Sequence, residues 1–306
     1  MIKVLEEGKE QMSEIKQIFK QYLTNNNMSQ PMGDGSLSKK LDAGIYSIVQ
    51  TMQGIMFNKI GTKTDELLKF EDPTQNTILH EMDDFWKRKP QYDKMKFLHN
   101  RALLMYGPPG SGKSSIIQLA IEDLVKQGDI VFIGKDIYNL VNGLKIFREV
   151  EPNRRCLVIM EDIDEMGEHA LLQLLDGSDA VDNIMYLGTT NYIDRLPARV
   201  LRPGRFDRKI EVSYPPKSGR EAYFKAKLKG ISTPEDIQKL VDATDGFSFG
   251  HLRELLTSVF CLGQDLNYVL KRLSGSGLEV SATLKTSIIK SKKIQAAFKC
   301  EAKKLV

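Results

Sequence analysis

Short apolar runs separated by amphipathic segments organise this chain from about residue 63 onward. Residues 102–106 (ALLMY), 130–133 (IVFI), 156–160 (CLVIM) and 183–189 (NIMYLGT) are too short for helices and lack polar alternation. That is the pattern of strands buried on both faces. Residues 210–213, just before Pro215-Pro216, form a fifth candidate strand. Between these runs, 78–89, 114–127 and 136–151 read as helices, the first with Thr77 as its N-cap. Strands alternating with helices predict a parallel sheet covered by helices on both faces. After Pro216 the strands cease, and 218–272 read as consecutive helices. Upstream, Val4, Met12, Ile15, Ile18, Phe19 and Leu23 make a helical stripe over residues 1–25. Residues 24–38 read as a polar linker, and 39–60 as a second, amphipathic helix.

Composition narrows this picture. The 306 residues are 41% hydrophobic and 27% charged, which excludes a collagen-like or largely disordered chain. Cys156, Cys261 and Cys300 are odd in number and widely spaced. They fit neither a disulfide framework nor a zinc site and point to a reducing, cytoplasmic setting. The four histidines show no HExxH spacing, so no histidine-built metal site is expected. The longest nearly apolar stretch, 45–60, is interrupted by Gln50, Gln53, Asn58 and Lys59, so no membrane-spanning helix is expected. The net charge of +4 is uneven. Residues 271–306 hold nine basic and two acidic residues, net +7, which leaves the other 270 residues at −3.

The strongest chemical signal follows the run 102–106. Gly107-Pro108-Pro109-Gly110-Ser111-Gly112-Lys113-Ser114 satisfies G-x-x-x-x-G-K-[ST], after a buried strand and before a helix. Its glycines let backbone wrap a bulky polyphosphate, and its N–H groups with the helix N-terminus supply positive potential. Lys113 is expected to reach the β- and γ-phosphates and the Ser114 hydroxyl to hold Mg²⁺, with Ser115 next in the helix. Hydrolysis needs a carboxylate for the metal and a polar group for the attacking water. The run LVIMEDID (157–164) supplies them at the end of a strand: Glu161 for Mg²⁺, Asp162 for the water. Asp164 reads equally as a structural acid of the turn.

GPPGSGKS and LVIMEDID, with the segment that follows them, resemble the AAA family of ATPases within the AAA+ class, over about residues 65–260. The acidic order is Glu161-Asp162, where the family usually has Asp-Glu. The inverted order, LLMYGPPGSGKSS and TTNYIDRLPARVLRPGRFD are similar to the subgroup containing the mitochondrial Rieske-protein translocase, without its transmembrane helix. The resemblance implies a P-loop NTPase α/β fold followed by a small all-α lid, preceded here by a short helical N-terminal region. It makes Asn191 the residue that places the attacking water. It makes Arg202 and Arg205 the pair that reaches into a neighbouring subunit's ATP site, with Arg195, Arg199 and Arg208 as structural or surface residues. It places Gly250 against the base. Similarity to the AAA+ branches with a G-x-x-R pattern places Arg253 near the γ-phosphate, although the AAA family proper usually lacks that arginine; His251 reads as a packing or surface residue. A central pore loop is expected within 134–143, where Tyr138 is present and Leu140-Val141-Asn142-Gly143 is a weak substitute for the usual aromatic-aliphatic-glycine core.

The domains expected are therefore an N-terminal helical region (1–62) for client or adaptor recognition, an α/β nucleotide-binding domain (63–216), a helical lid (217–275) and a basic tail (276–306). The function expected is hydrolysis of ATP with Mg²⁺ in a homo-oligomeric, hexameric ring that remodels a macromolecular client, protein rather than DNA. Two alternatives stay open. The first is a DNA-associated clamp-loader or replication ATPase, supported by Lys285, Lys290, Lys292, Lys293, Lys299, Lys303 and Lys304. The second is a non-enzymatic, nucleotide-gated assembly module.

Overall fold

Six parallel strands form the centre of the sheet, and the run-and-helix pattern explains five of them. The computed structural model describes residues 22–25, 28–31, 37–52, 54–61, 73–176 and 181–275. Its strands are β1 (Tyr22–Asn25), β2 (Met28–Pro31), β3 (Leu37–Ser38), β4 (Gly44–Thr51), β5 (Gly54–Ile60), β6 (Asn100–Tyr106), β7 (Ile130–Ile133), β8 (Cys156–Met160), β9 (Ile184–Thr190) and β10 (Arg208–Glu211). They lie in the order β10-β6-β9-β8-β7-β4-β5-β2-β1-β3. Pairing is parallel from β10 to β4 and antiparallel beyond it. Every residue of β8 and β9 is buried, which is why neither shows alternation in the sequence.

The helices are α1 (Pro73–Lys87), α2 (Lys89–Met95), α3 (Lys113–Lys126), α4 (Ile137–Val150), α5 (Glu168–Asp176), α6 (Lys217–Lys227), α7 (Pro234–Ala243), α8 (Phe249–Leu256) and α9 (Leu266–Ser274). Thr77 lies inside α1, not at its cap, because the helix starts at Pro73, a residue suited to a first turn. Asp136 caps α4 by accepting the Asn139 N–H. Among the described residues no helix is long and apolar enough to cross a membrane. The lysine-rich tail from residue 276, Cys300 and the stripe up to residue 21 lie outside the described residues.

Residues 39–60 overturn the expected helical N-terminal region. They form the β4–β5 hairpin, with Thr51 opposite Gly54 across a two-residue connection. Gly54 has φ 115°, a conformation that a residue with a Cβ adopts only under strain. Residues 22–25, read as a helix end, and two pieces of the expected linker are strands as well. The hairpin is rich in β-branched residues and shares the core of the parallel sheet. Phe57 lies 5.6 Å from Phe132, and Phe132 lies 5.2 Å from Phe147, ring centre to ring centre. The segment entering it is pinned too: Glu151 accepts the Leu41 N–H at 2.8 Å, and Arg154 donates to the Leu41 carbonyl.

Gly143 lets α4 approach this hairpin. A Cβ there would stand 2.5 Å from Ile48 Cγ2. That methyl is fixed to a β-branched carbon and cannot swing away without a change of rotamer. Gly143→Ala gains about 1 kcal/mol of helix propensity against about 1–3 kcal/mol for overpacking. A lower thermal midpoint is expected, with partial recovery in Gly143→Ala/Ile48→Ala. A raised midpoint in the single variant would mean that the contact yields freely. Leu140, Val141 and Gly143 are thus buried packing residues of α4 and no pore-loop core, whereas Tyr138 is 57% exposed.

The chain divides into two compact units. The first holds every strand, with Ile78–Gly107 and Ser114–Glu211. The second takes Pro108–Lys113 and residues 212–275, and α6–α9 pack around the fully buried Phe224, Val241, Phe247, Leu252 and Val269.

Candidate functional site

The glycine-rich loop leaves β6 at Gly107, whose N–H donates to the Thr190 carbonyl at 3.3 Å. Gly107, Gly110 and Gly112 have φ of 150°, 74° and 110°. Space as well as conformation requires glycine at two of these positions. A Cβ on Gly110 would stand 2.8 Å from Ser248 Oγ, and one on Gly112 would stand 3.0 Å from the Phe249 ring. Both neighbours belong to the start of α8, where the Gly250 N–H donates to the Gly110 carbonyl at 3.4 Å. Ser248 caps α8 by accepting the His251 N–H at 3.2 Å, and the His251 ring returns to Ser248, a capping box. His251 therefore has a structural task. The sequence reading missed Ser248 and Phe249 as partners of the loop; the local signal was only a serine three residues before a ring able to bond back.

Whether these residues fit a polyphosphate is decided by three observations. The buried Ser111 hydroxyl has no protein partner, an energetic cost that a bound acceptor removes. Lys113 is 8% exposed, with its ammonium donating to the loop's own Pro108 carbonyl at 3.0 Å, so its charge is held at the loop. Lastly, α3 begins at Lys113 with no acid in its first turn, which leaves its N-terminal N–H dipoles uncompensated. Pro108 and Pro109 stiffen the loop. Ser114 and Ser115 are exposed at the start of α3. For the metal, a hydroxyl at Ser114 and the exposed carboxylate of Glu161 are hard oxygen donors of the kind Mg²⁺ takes while keeping several waters.

The acids stand at the tip of β8. Glu161 and Asp162 are exposed. Asp162 is left-handed, with φ 53° and ψ 52°, and its N–H donates to Thr189 Oγ1 at 3.3 Å. Non-glycine residues held this way concentrate at functional sites; the others among the described residues are Lys96 and Asn183. Asp164 behaves differently. Its side chain is 6% exposed, accepts the Thr190 hydroxyl and lies 3.9 Å from Arg195, so it is an acid of the turn's framework. Asn191 follows β9 directly and is half-buried.

The arginine segment is hooked under the sheet. Gly188 in β9 makes room for the Phe206 ring, which a Cβ would meet at 2.9 Å. Asp207 accepts the Ala102 N–H at 2.9 Å and the Gly204 N–H at 3.3 Å. On this support Arg202 is exposed and Arg205 half-buried, with Arg205 donating to the Arg199 carbonyl. The other arginines have local tasks. Arg199 pairs with Glu168 and holds its carboxyl below the usual range, chiefly through their hydrogen bond. Arg195 stacks on Tyr192 at 3.7 Å, and Arg208 meets Glu81 at 2.8 Å. Gly250 touches the loop, whereas Arg253, further along α8, is exposed. The fully buried Cys156 thiol is pushed up to about 12 by burial, which disfavours the reactive thiolate.

Comparison with known proteins adds the family. Residues 103–214 match the family described as "ATPase family associated with various cellular activities (AAA)". The chain is 28% identical over 212 residues to the ATP-dependent zinc metalloprotease FtsH 1 of Conexibacter woesei, covering 60% of this chain and 32% of that protein. It is 30% identical over 235 residues to FtsH 3 of Phytoplasma mali, covering 66% and 39%. It is 26% identical over 263 residues to the proteasome-activating nucleotidase of Methanopyrus kandleri, covering 76% and 57%. The chain thus spans from about a third to under three fifths of these relatives' lengths.

Proposed function

We propose that this chain, whose residues 103–214 match the AAA family of ATPases, hydrolyses ATP with Mg²⁺ in a homo-oligomeric ring, hexameric as such rings commonly are, to remodel a protein client in a cytoplasmic setting. The observation that carries the reading is the loop 107–114: three glycines with positive φ, an orphaned buried hydroxyl and a sheltered ammonium at the start of a helix. Relatives named as metalloproteases and as an activator of the proteasome support a protein client over DNA. The zinc in the FtsH name is not carried over, since the 306 residues contain no HExxH.

In this reading Lys113 and the loop N–H groups bind the phosphates, with Ser111 as a further partner. Ser114 and Glu161 would hold the metal. Bound Mg²⁺ supplies charge neutralisation on the phosphates. Asp162 and Asn191 orient the water, and Asp162 takes its proton as the new oxygen–phosphorus bond forms and the bridging bond breaks. Arg202 and Arg205 of one protomer stabilise the charge that develops in the site of the next. Gly250, which touches the loop at Gly110, would let the backbone approach the base, and Arg253 would serve the phosphates.

Asp162→Asn tests this. Phosphate release is expected to fall at least about 10²-fold, while ATP affinity stays within about threefold, since the carboxylate acts on water and not on the nucleotide. Wild-type turnover is expected to rise with an unfolded protein and not with duplex DNA. Turnover unchanged in the variant would sink the assignment of the base; stimulation by DNA alone would move the client to nucleic acid.

A further inference from the structure

Thr190 is fully buried at the last position of β9, and both its carbonyl and its hydroxyl are committed. Its carbonyl accepts the Gly107 N–H at 3.3 Å, where the glycine-rich loop begins. Its hydroxyl donates to Asp164, in the turn that carries Glu161 and Asp162. The same hydroxyl accepts the Tyr192 N–H at 2.9 Å, which clamps the backbone on both sides of Asn191. One buried residue therefore joins the start of the loop, the acidic turn and the side chain assigned to the water.

We propose that Thr190 is a positioning residue, whose hydroxyl bond to Asp164 holds Asn191 in register with the acidic turn. The inference rests on the ATPase reading above and deepens it. A hydroxyl is required because one atom must donate to a carboxylate and accept from an N–H, which neither valine nor alanine does. Neighbouring contacts fix the acceptor. Asp164 lies 3.9 Å from Arg195, which stacks on Tyr192, so acid, arginine and aromatic close a ring around the Asn191 backbone. The adjacent Thr189 serves the same turn at Asp162, so two successive hydroxyls bind the end of β9 to the acidic turn. Displacing a catalytic group by about 1 Å is enough to lower a rate about 10²-fold.

The test compares Thr190→Val, Thr190→Ser and Asp164→Asn in the full chain, by thermal midpoint, binding of a fluorescent ATP analogue and steady-state phosphate release. For Thr190→Val, kcat is expected to fall about tenfold or more, with the KM for ATP within about threefold, and Thr190→Ser should recover most of the loss. Asp164→Asn should lower kcat in the same way, and it takes over the test if Thr190→Val does not fold. A folded Thr190→Val with wild-type kcat, or a serine variant as slow as valine, would overturn the coupling. A wild-type protein without ATP turnover would instead bring down the ATPase reading, and this inference with it.

Discussion

ATP turnover by Lys113→Ala is expected to fall about 10²- to 10³-fold, the loss seen when one preorganised donor to developing charge is removed. The ammonium is sheltered and donates to a neutral carbonyl of its own loop, Pro108, at 3.0 Å. A polyphosphate offers a far stronger acceptor, so the side chain gains a charge-assisted bond when it binds. Loss of the Pro108 hydrogen bond costs the folded protein about 1 kcal/mol. The thermal midpoint should therefore stay near that of the wild type while affinity for ATP and kcat collapse. Phosphate release at the wild-type rate in a folded Lys113→Ala protein would remove the loop from the chemistry.

Arg205→Ala should cost about 10³-fold or more in kcat, as an arginine supplied to a phosphoryl-transfer site does. The loss should appear under conditions where protomers associate, because in the proposed ring the guanidinium acts on a neighbour. In the isolated chain Arg205 rests on the Arg199 carbonyl, on a segment anchored by Phe206 and Asp207. A planar cation on a rigid support loses little entropy when it engages phosphate. Mixing separates supply in trans from a local role. Arg205→Ala keeps an intact loop, and Lys113→Ala keeps an intact arginine. Mixed oligomers of the two should recover part of the turnover that each lacks alone. No recovery, together with full activity of the monomer at dilution, would defeat the ring.

How much of this was legible in the sequence varies by element. The phosphate loop was legible because its chemistry is local: glycines, lysine and serine at fixed offsets between a strand and a helix. The strands at β6 to β9 were legible because burial on both faces leaves an uninterrupted apolar run. The hairpin was misread for an equally physical reason. Ile45, Ile48, Met52 and Ile55 recur at spacings of three and four, which a helix also satisfies. The β-branched residues and Gly54 favoured strands, but what settles the matter is the pairing of Ile45 with Val131, a partner remote in the chain. The reading of Leu140–Gly143 failed similarly, since the need for glycine at 143 comes from Ile48.

By itself, then, the order of residues determined which groups could be proposed to bind phosphate and metal, to activate water and to reach a neighbour, since spacing along one strand or loop is a property of the chain alone. Only the tertiary structure decided that Asp162 is left-handed, that Asp164 belongs to the framework and Thr190 to its centre, and that the N-terminal segment extends the sheet. Those outcomes depend on contacts between residues far apart in sequence, and local periodicity carries no record of them.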